Sequence, residues 1–369
     1  MRTSCISDIG NQTNNFDLPD ESDMKTEKTI IKTRTIDKSV LQPPIYDFTA
    51  SERDILKIKS LLQATEELFD GDDPANLYDM FLMQTLNIIS LSPVGVALIN
   101  DAISEGWYLG IDDLNGNDFS IDVTEKTIFV SHFGLSPEGI MRSAYFSNLV
   151  LINLVRALRD VWHEKRHGAF DNLFGPEAIL MLERVRAADC DVIGILVAWE
   201  LRSEGHSDIW RHTIGSENGD LAMAYSHYLE HDPSSQFNGK ALKAAFKEWY
   251  ACEERLNACD HQTLEYMDEI LKNSQESNPF GRKVPTHIAI ELLSCLPDKT
   301  AYLQGFGREI LNDPMYSGLD DPLNQSHLMH ILYDLEVVLV NNVPFRDAGL
   351  AARIFPEEPD LLSDFSDID

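Results

Sequence analysis

The run Ala157-Leu158-Arg159-Asp160-Val161-Trp162-His163-Glu164-Lys165-Arg166-His167 carries two histidines four residues apart at the end of an apolar helical pattern. Leu151, Leu154, Val155, Leu158, Val161 and Trp162 recur at steps of three and four, which predicts a helix from Pro137 to about His167, closed by Gly168. On such a helix His163 and His167 project from one face, one turn apart. Two imidazole nitrogens so placed can meet one tetrahedral Zn²⁺ at about 2.0–2.1 Å each. Glu164, beside the first histidine, reaches a water rather than the ion. There it can act as general base toward a carbonyl under attack and then hand the proton to the leaving amine.

A zinc site needs a third protein donor, and the next helix, expected from Glu177 to about Arg202, offers Glu183, Asp189 and Asp191. Asp189 falls in register with Leu182, Val185, Ile193 and Leu196, so its carboxylate points from an apolar stripe, where it is costly unless paired or metal-bound. It is the expected third ligand. Asp191 shares a small-residue stripe with Ala187, Ala188, Gly194 and Ala198 and is expected to support the site. The competing reading makes either aspartate an ion-pair partner of Arg166, Arg184 or Arg186. A blander one leaves Glu164, Lys165 and Arg166 in solvent on a surface helix. His206, His212, His227 and His231 read as ordinary surface or loop histidines, and Trp199, Trp210 and Trp249 as core or interface aromatics. No Gly-rich phosphate loop, G-x-S-x-G elbow or EF-hand pattern occurs.

Working outward, the clearest strand signals precede this helix. Trp107 to Ile111, Phe119 to Asp122 and Thr127 to Ser131 are short β-type segments separated by Asn115-Gly116-Asn117 and Thr124-Glu125-Lys126, and predict a small antiparallel sheet or meander. Further helices are expected at Ser51–Phe69, with Ser51 as N-cap, at Leu77–Ile89, and from Ser92-Pro93 to Gly106. More follow at Gly239–Asn257, Gln262–Lys272, His287–Leu296 and Gln325–Val340. The expected fold is α+β and mainly helical, a minimal-zincin-like sheet plus motif helix with a helical C-terminal half. No internal repeat is evident. Residues 1–45 are polar and without periodicity and read as a disordered arm; 46–355 read as the folded domain and 356–369 as an acidic disordered tail.

With 369 residues, 43% of them hydrophobic, and a formal net charge of −31, the chain can bury a large core and lacks the basic footprint that nucleic acid or an anionic membrane face would need. The five cysteines are scattered without a C-x-x-C pair, which argues against a disulfide framework or a thiolate zinc knuckle. No signal-peptide-like or membrane-spanning run is seen, so a cytoplasmic protein is expected.

The motif run resembles the His-Glu-x-Arg-His helix of a group of bacterial metallopeptidase-like proteins known as a domain of unknown function. Similar too are the Ser92-Pro93-Val94-Gly95-Val96-Ala97-Leu98 helix start, the Ile121-Asp122 and Ile128 strands, Arg186-Ala187-Ala188-Asp189-Cys190-Asp191, and Ala244-Ala245-Phe246-Lys247-Glu248-Trp249-Tyr250. The resemblance spans about residues 75–275. It implies His163 and His167 as Zn²⁺ ligands, Glu164 as base and Asp189 at the third-ligand position where Glu is expected; it does not imply the substrate, which is expected to be a peptide or protein. An extended substrate would add to an edge strand, expected to be Thr127–Ser131. The alternatives are a catalytically inactive, zincin-like helical interaction protein, and metal binding without hydrolysis.

Overall fold

In the computed structural model, which describes residues 56–63, 74–274, 278–336, 338–340 and 343–345, the apolar run that ends in His167 forms two helices rather than one. Ser143, at φ −102° and ψ 103°, leaves the helical region, and its hydroxyl accepts from the amide of Phe146 as the N-cap of the second helix. A capping serine inside an unbroken apolar pattern is a stop that periodicity alone does not register.

The first half of the chain runs β1 (Leu56–Lys57), α1 (Ile58–Gln63), α2 (Pro74–Ile89), α3 (Pro93–Glu105), β2 (Tyr108–Asp112), β3 (Phe119–Asp122), β4 (Thr127–Ser131), α4 (Pro137–Arg142), α5 (Ala144–His167) and α6 (Pro176–Ser203). The second half runs α7 (Ser207–Ile214), α8 (Gly219–His231), α9 (Ser235–Asn238), α10 (Lys240–Trp249) and α11 (Glu253–Asn273). Then come α12 (His287–Leu293), α13 (Gly307–Asn312), α14 (Pro314–Ser317), α15 (Pro322–Glu336), and an antiparallel strand pair, β5 (Val338–Val340) and β6 (Val343–Phe345). These residues lie within the unit Ala50–Asp369. The fold is α+β and mainly helical. The proposed arm (1–45), acidic tail (356–369) and Ser51 cap lie outside the described residues.

The sheet corrects the expected meander. Its order is β1-β2-β4-β3, with β2 and β4 parallel (Tyr108↔Thr127 to Asp112↔Ser131) and β3 and β4 antiparallel (Phe119↔Val130 to Asp122↔Thr127). It is a mixed sheet, and Thr127–Ser131 is an inner strand, not the edge. The burial pattern gives the reason. Four of the five β4 residues are buried, whereas every residue of β3 is half-buried or exposed. A strand buried on both faces belongs in the sheet interior, and the half-wet strand goes to the rim. Among the described residues β3 has no partner on its outer side.

Helix α6 is the centre of the molecule. Most of its residues are buried, from Ile179 to Leu201, and α5, α7, α11, α12 and α14 pack around it. Where α5 and α6 cross, a β-carbon added at Gly194 would lie 3.7 Å from Ile152 and from the Arg156 side chain, so the small-residue stripe does permit the close approach. Helix α3 opens on Ser92, whose hydroxyl accepts from Gly95 N at 2.8 Å and donates to Glu200 of α6. The C-terminal helices are pinned to α6 by Arg184. Its Nε donates to Asp260 at 2.6 Å and its Nη1 to the Met315 carbonyl at 2.8 Å, while Asn324 donates to Asp260 at 2.6 Å.

Other expected helices shift too. Leu56–Lys57, inside the expected Ser51–Phe69 helix, form the strand β1, and His287–Leu296 stops at Leu293. Gly239–Asn257 stops at Trp249, and the chain re-enters α11 at Glu253, so Gln262–Lys272 is part of that longer helix. The last helix ends at Glu336, and Val338–Val340 is extended because β-branched side chains fit a pleated strand better than a helix end. No helix among the described residues is long and apolar enough to cross a membrane.

Candidate metal centre and adjoining cleft

The last turn of α5 is basic, as the negative end of a helix dipole favours, and Gly168 closes it by donating to the Glu164 carbonyl at 2.9 Å. Lys165 and Arg166, the charged pair inside the histidine motif, face α3. Lys165 lies 3.1 Å from Asp101 and from Glu105, and Arg166 lies 2.8 Å from Asp101. They hold the motif helix against α3, and neither lies free in solvent. The Trp162 ring is sandwiched between the guanidinium groups of Arg159 (3.8 Å) and Arg166 (4.0 Å).

Inside this collar His163 and Asp189 meet, both fully buried. His163 Nε2 lies 2.8 Å from Asp189 Oδ2. The same oxygen receives Arg159 Nε at 2.5 Å, and Asp189 Oδ1 receives the Tyr302 hydroxyl at 2.7 Å. Burial alone would raise the Asp189 pKa, but Arg159 and His163 outweigh it and hold the group down at about 2. Burial pushes His163 down to about 4 against the pull of Asp189. The imidazole is therefore neutral, with its proton on Nε2 facing the carboxylate and Nδ1 bare.

His167 lies one turn on, with its ring centroid 5.7 Å from that of His163. Burial, and then His163, lower its pKa to about 4, and its buried Nε2 finds no hydrogen-bond partner among the described residues. Two neutral imidazoles, one with an unsatisfied buried nitrogen, and a carboxylate held ionised are the donor types and charge states a zinc-type ion requires, and in that sense the residues fit it. Asp189 itself is fully engaged. Among the described residues no group of three or more His, Cys, Asp or Glu side chains converges as a metal cage.

Glu164 faces the other way, onto an open cleft of about 540 Å³. Arg186 stands at its inner wall, bonded to Asp160 and 3.5 Å from Glu164 Oε2. Phe119 and Ile121 of the β3 edge form one side, and Phe170 and Tyr266 another. Glu183 lines the same cleft, and burial lifts its pKa to about 7, with Arg186 only partly offsetting. His163, His167 and Asp189 are not among the residues that line this cleft. Asp191 is also separate: it pairs with Arg156 at 2.6 Å and accepts from Trp249 Nε1 at 2.8 Å.

The partner of Asp189 is thus Arg159, not Arg166, Arg184 or Arg186, which bind Asp101, Asp260 and Asp160. Arg159 and Tyr302 are the site residues that the sequence reading missed. Arg159 sits four residues before His163, on the same face, and that spacing was a signal within reach. Tyr302, 113 residues beyond Asp189, left none.

No curated protein and no solved structure matches the chain. Residues 141–303, which hold the motif helix, Asp189, Arg159 and Tyr302, match the family described as "Putative metallopeptidase family (DUF6782)", the kind of family that the His163–His167 helix resembles.

Proposed function

We propose that the chain is a metal-dependent hydrolase of peptide bonds, with a zinc-type ion held by His163, His167 and Asp189 and with Glu164 as general base. The observation that carries this reading is the approach of Asp189 Oδ2 to His163 Nε2, 2.8 Å apart, one turn from the bare, buried Nε2 of His167. When bound, such an ion supplies a polarised substrate carbonyl and an acidified water. Glu164 would have to turn from the cleft toward the ion to take the water's proton at its carboxylate and deliver it to the departing amine. Arg186 Nη2 lies 3.5 Å from Glu164 Oε2 on the cleft side. An extended peptide pairs with the free edge of β3, so Phe119 and Ile121 meet its side chains. Glu183, whose pKa of about 7 leaves it largely protonated below neutrality, offers the cleft a hydrogen-bond donor.

Metal analysis by mass spectrometry, paired with a peptide-library assay, tests this. Glu164→Gln is expected to keep wild-type zinc stoichiometry while hydrolysis falls roughly 10²-fold. His163→Ala should lose both. Equal turnover by Glu164→Gln and wild type would exclude the mechanism.

One observation favours a second reading. Both oxygens of Asp189 are already taken by Arg159, His163 and Tyr302, as they would be in a catalytically inactive relative that binds peptides in the same cleft. Peptide binding without turnover, in protein that takes up no metal at millimolar zinc, would decide for it.

A further inference from the structure

We infer that Arg159 competes with the metal ion for Asp189, so that the site is latched by an internal cation and loads only when that guanidinium lets go. The inference rests on the metal-dependent reading above. Arg159 is fully buried and permanently charged. Its Nε takes Asp189 Oδ2, the oxygen nearest His163, and its Nη2 donates to the Leu293 carbonyl at 3.1 Å. An ion bound by His163 and Asp189 would replace the proton between them and stand beside this guanidinium. Two like charges at one carboxylate in a dry interior repel strongly, so one of them has to leave.

The latch is incomplete in a way that lets it open. Arg159 Nη1 is buried without a hydrogen-bond partner among the described residues, so two of its three nitrogens do the holding. Apart from Asp189 and the motif helix's own His163 and Trp162, the groups that hold the network shut come from one short segment. Leu293 supplies the carbonyl under Arg159, and Tyr302 supplies the hydroxyl on Asp189. Ser294 ties the segment's ends together by accepting from Leu303 N at 2.9 Å, and Cys295 bridges to Ala301. Displacing residues 293–303 as a unit takes the Leu293 carbonyl from Arg159 and frees the second carboxylate oxygen, leaving the guanidinium held by Asp189 and the Trp162 ring alone. Metal uptake and movement of this segment are then one event.

The test uses the full chain, stripped with chelator and titrated with Zn²⁺ by calorimetry and with Co²⁺ by visible absorption. Arg159→Met and Arg159→Gln remove the charge and are expected to tighten Zn²⁺ binding about tenfold or more. Arg159→Lys keeps the charge and should stay near wild type. The neutral variants should also melt lower than wild type when metal-free and regain more on adding Zn²⁺. Arg159→Gln retains a donor for the Leu293 carbonyl and stands in if the Met variant does not fold. Neutral variants that are folded by circular dichroism yet bind Zn²⁺ no more tightly than wild type would overturn the latch alone. Binding that His163→Ala leaves unchanged in both the wild-type and Arg159→Gln backgrounds would overturn the metal-dependent reading, and the latch with it.

Discussion

A carboxylate with no access to water keeps its charge only through its neighbours, and Asp189 has three of them within 2.8 Å. Removing that charge leaves Arg159 buried and unpaired. Asp189→Asn is therefore expected to cost about 3–5 kcal/mol in urea unfolding of the metal-free chain, whatever the metal does. A loss below about 1 kcal/mol would mean that water reaches Arg159. Glu183 poses the reverse problem, because its folded pKa of about 7 lies above the ordinary carboxylate value. A group raised in this way stabilises the fold fully below its unfolded pKa, near 4.5, and loses that contribution as pH rises through 7. Glu183→Gln, which mimics the neutral acid, should match wild type near pH 4.5 and exceed it by about 1–3 kcal/mol at pH 8. Parallel stability curves from pH 4.5 to 8 would show that Glu183 is solvated. At this scale the sequence was legible in part. The apolar stripe around Asp189 announced a buried acid in need of a partner, and the i, i+4 histidines announced a shared face. It did not name the partner, because Arg159 looked like one more charge on an amphipathic helix. Nor could it name Tyr302, which only the tertiary fold brings near.

The helices were read largely correctly because their signals are local. Ser92-Pro93 and Gly106 bracket α3 as cap and stop, with Gly106 at φ 78°. Gly95, inside that helix, has a tertiary reason as well: a β-carbon there would sit 2.3 Å from the Ile89 carbonyl oxygen, which cannot yield without moving α2. Gly95→Ala, favourable by helix propensity, is instead expected to destabilise by roughly 1–3 kcal/mol in chemical denaturation. A gain in stability would show that α2 can slide. The sheet was legible as segments but not as an order. Hairpin chemistry between Phe119–Asp122 and Thr127–Ser131 correctly paired β3 with β4. The Asn115-Gly116 turn looked like a second hairpin, yet it carries the chain past β4, so that β2 joins β4 in parallel. Only the two-sided burial of β4 decides this, and burial is a property of the finished fold. For the proposed reaction, the edge that an extended peptide would use is β3, which lines the same cleft as Glu164. Ile121→Lys on that edge should raise KM for an extended peptide about tenfold with kcat nearly unchanged, as expected for lost uniform binding. A fall in kcat at constant KM would place the substrate elsewhere.

At the scale of the whole molecule the dominant fact is charge. With 61 acidic against 30 basic residues, the chain carries a formal −31, and its field repels anions over about a Debye length, roughly 10 Å at 0.1 M salt. The cleft does not reverse that sign. Of its ionisable lining residues, Asp160 and Glu164 are acidic, Glu183 is about half-protonated at neutral pH, Arg156 and Arg186 are basic, and both arginines are already committed to carboxylates. A peptide approaching β3 thus enters a negative field with no free cation waiting in the wall. Lys- and Arg-rich peptides should be captured faster than acidic ones of equal length, and the preference should shrink with salt, because steering acts on the encounter and is screened. Raising salt from about 0.05 to 0.5 M is expected to lower kcat/KM for a basic peptide about tenfold and to leave a neutral peptide within about twofold. The effect should fall on kcat/KM and spare kcat, since the field no longer matters once the peptide lies along the strand. Acidic peptides cleaved or bound as fast as basic ones at low salt would show that the net charge serves solubility alone and that recognition depends on the β3 edge and the apolar wall.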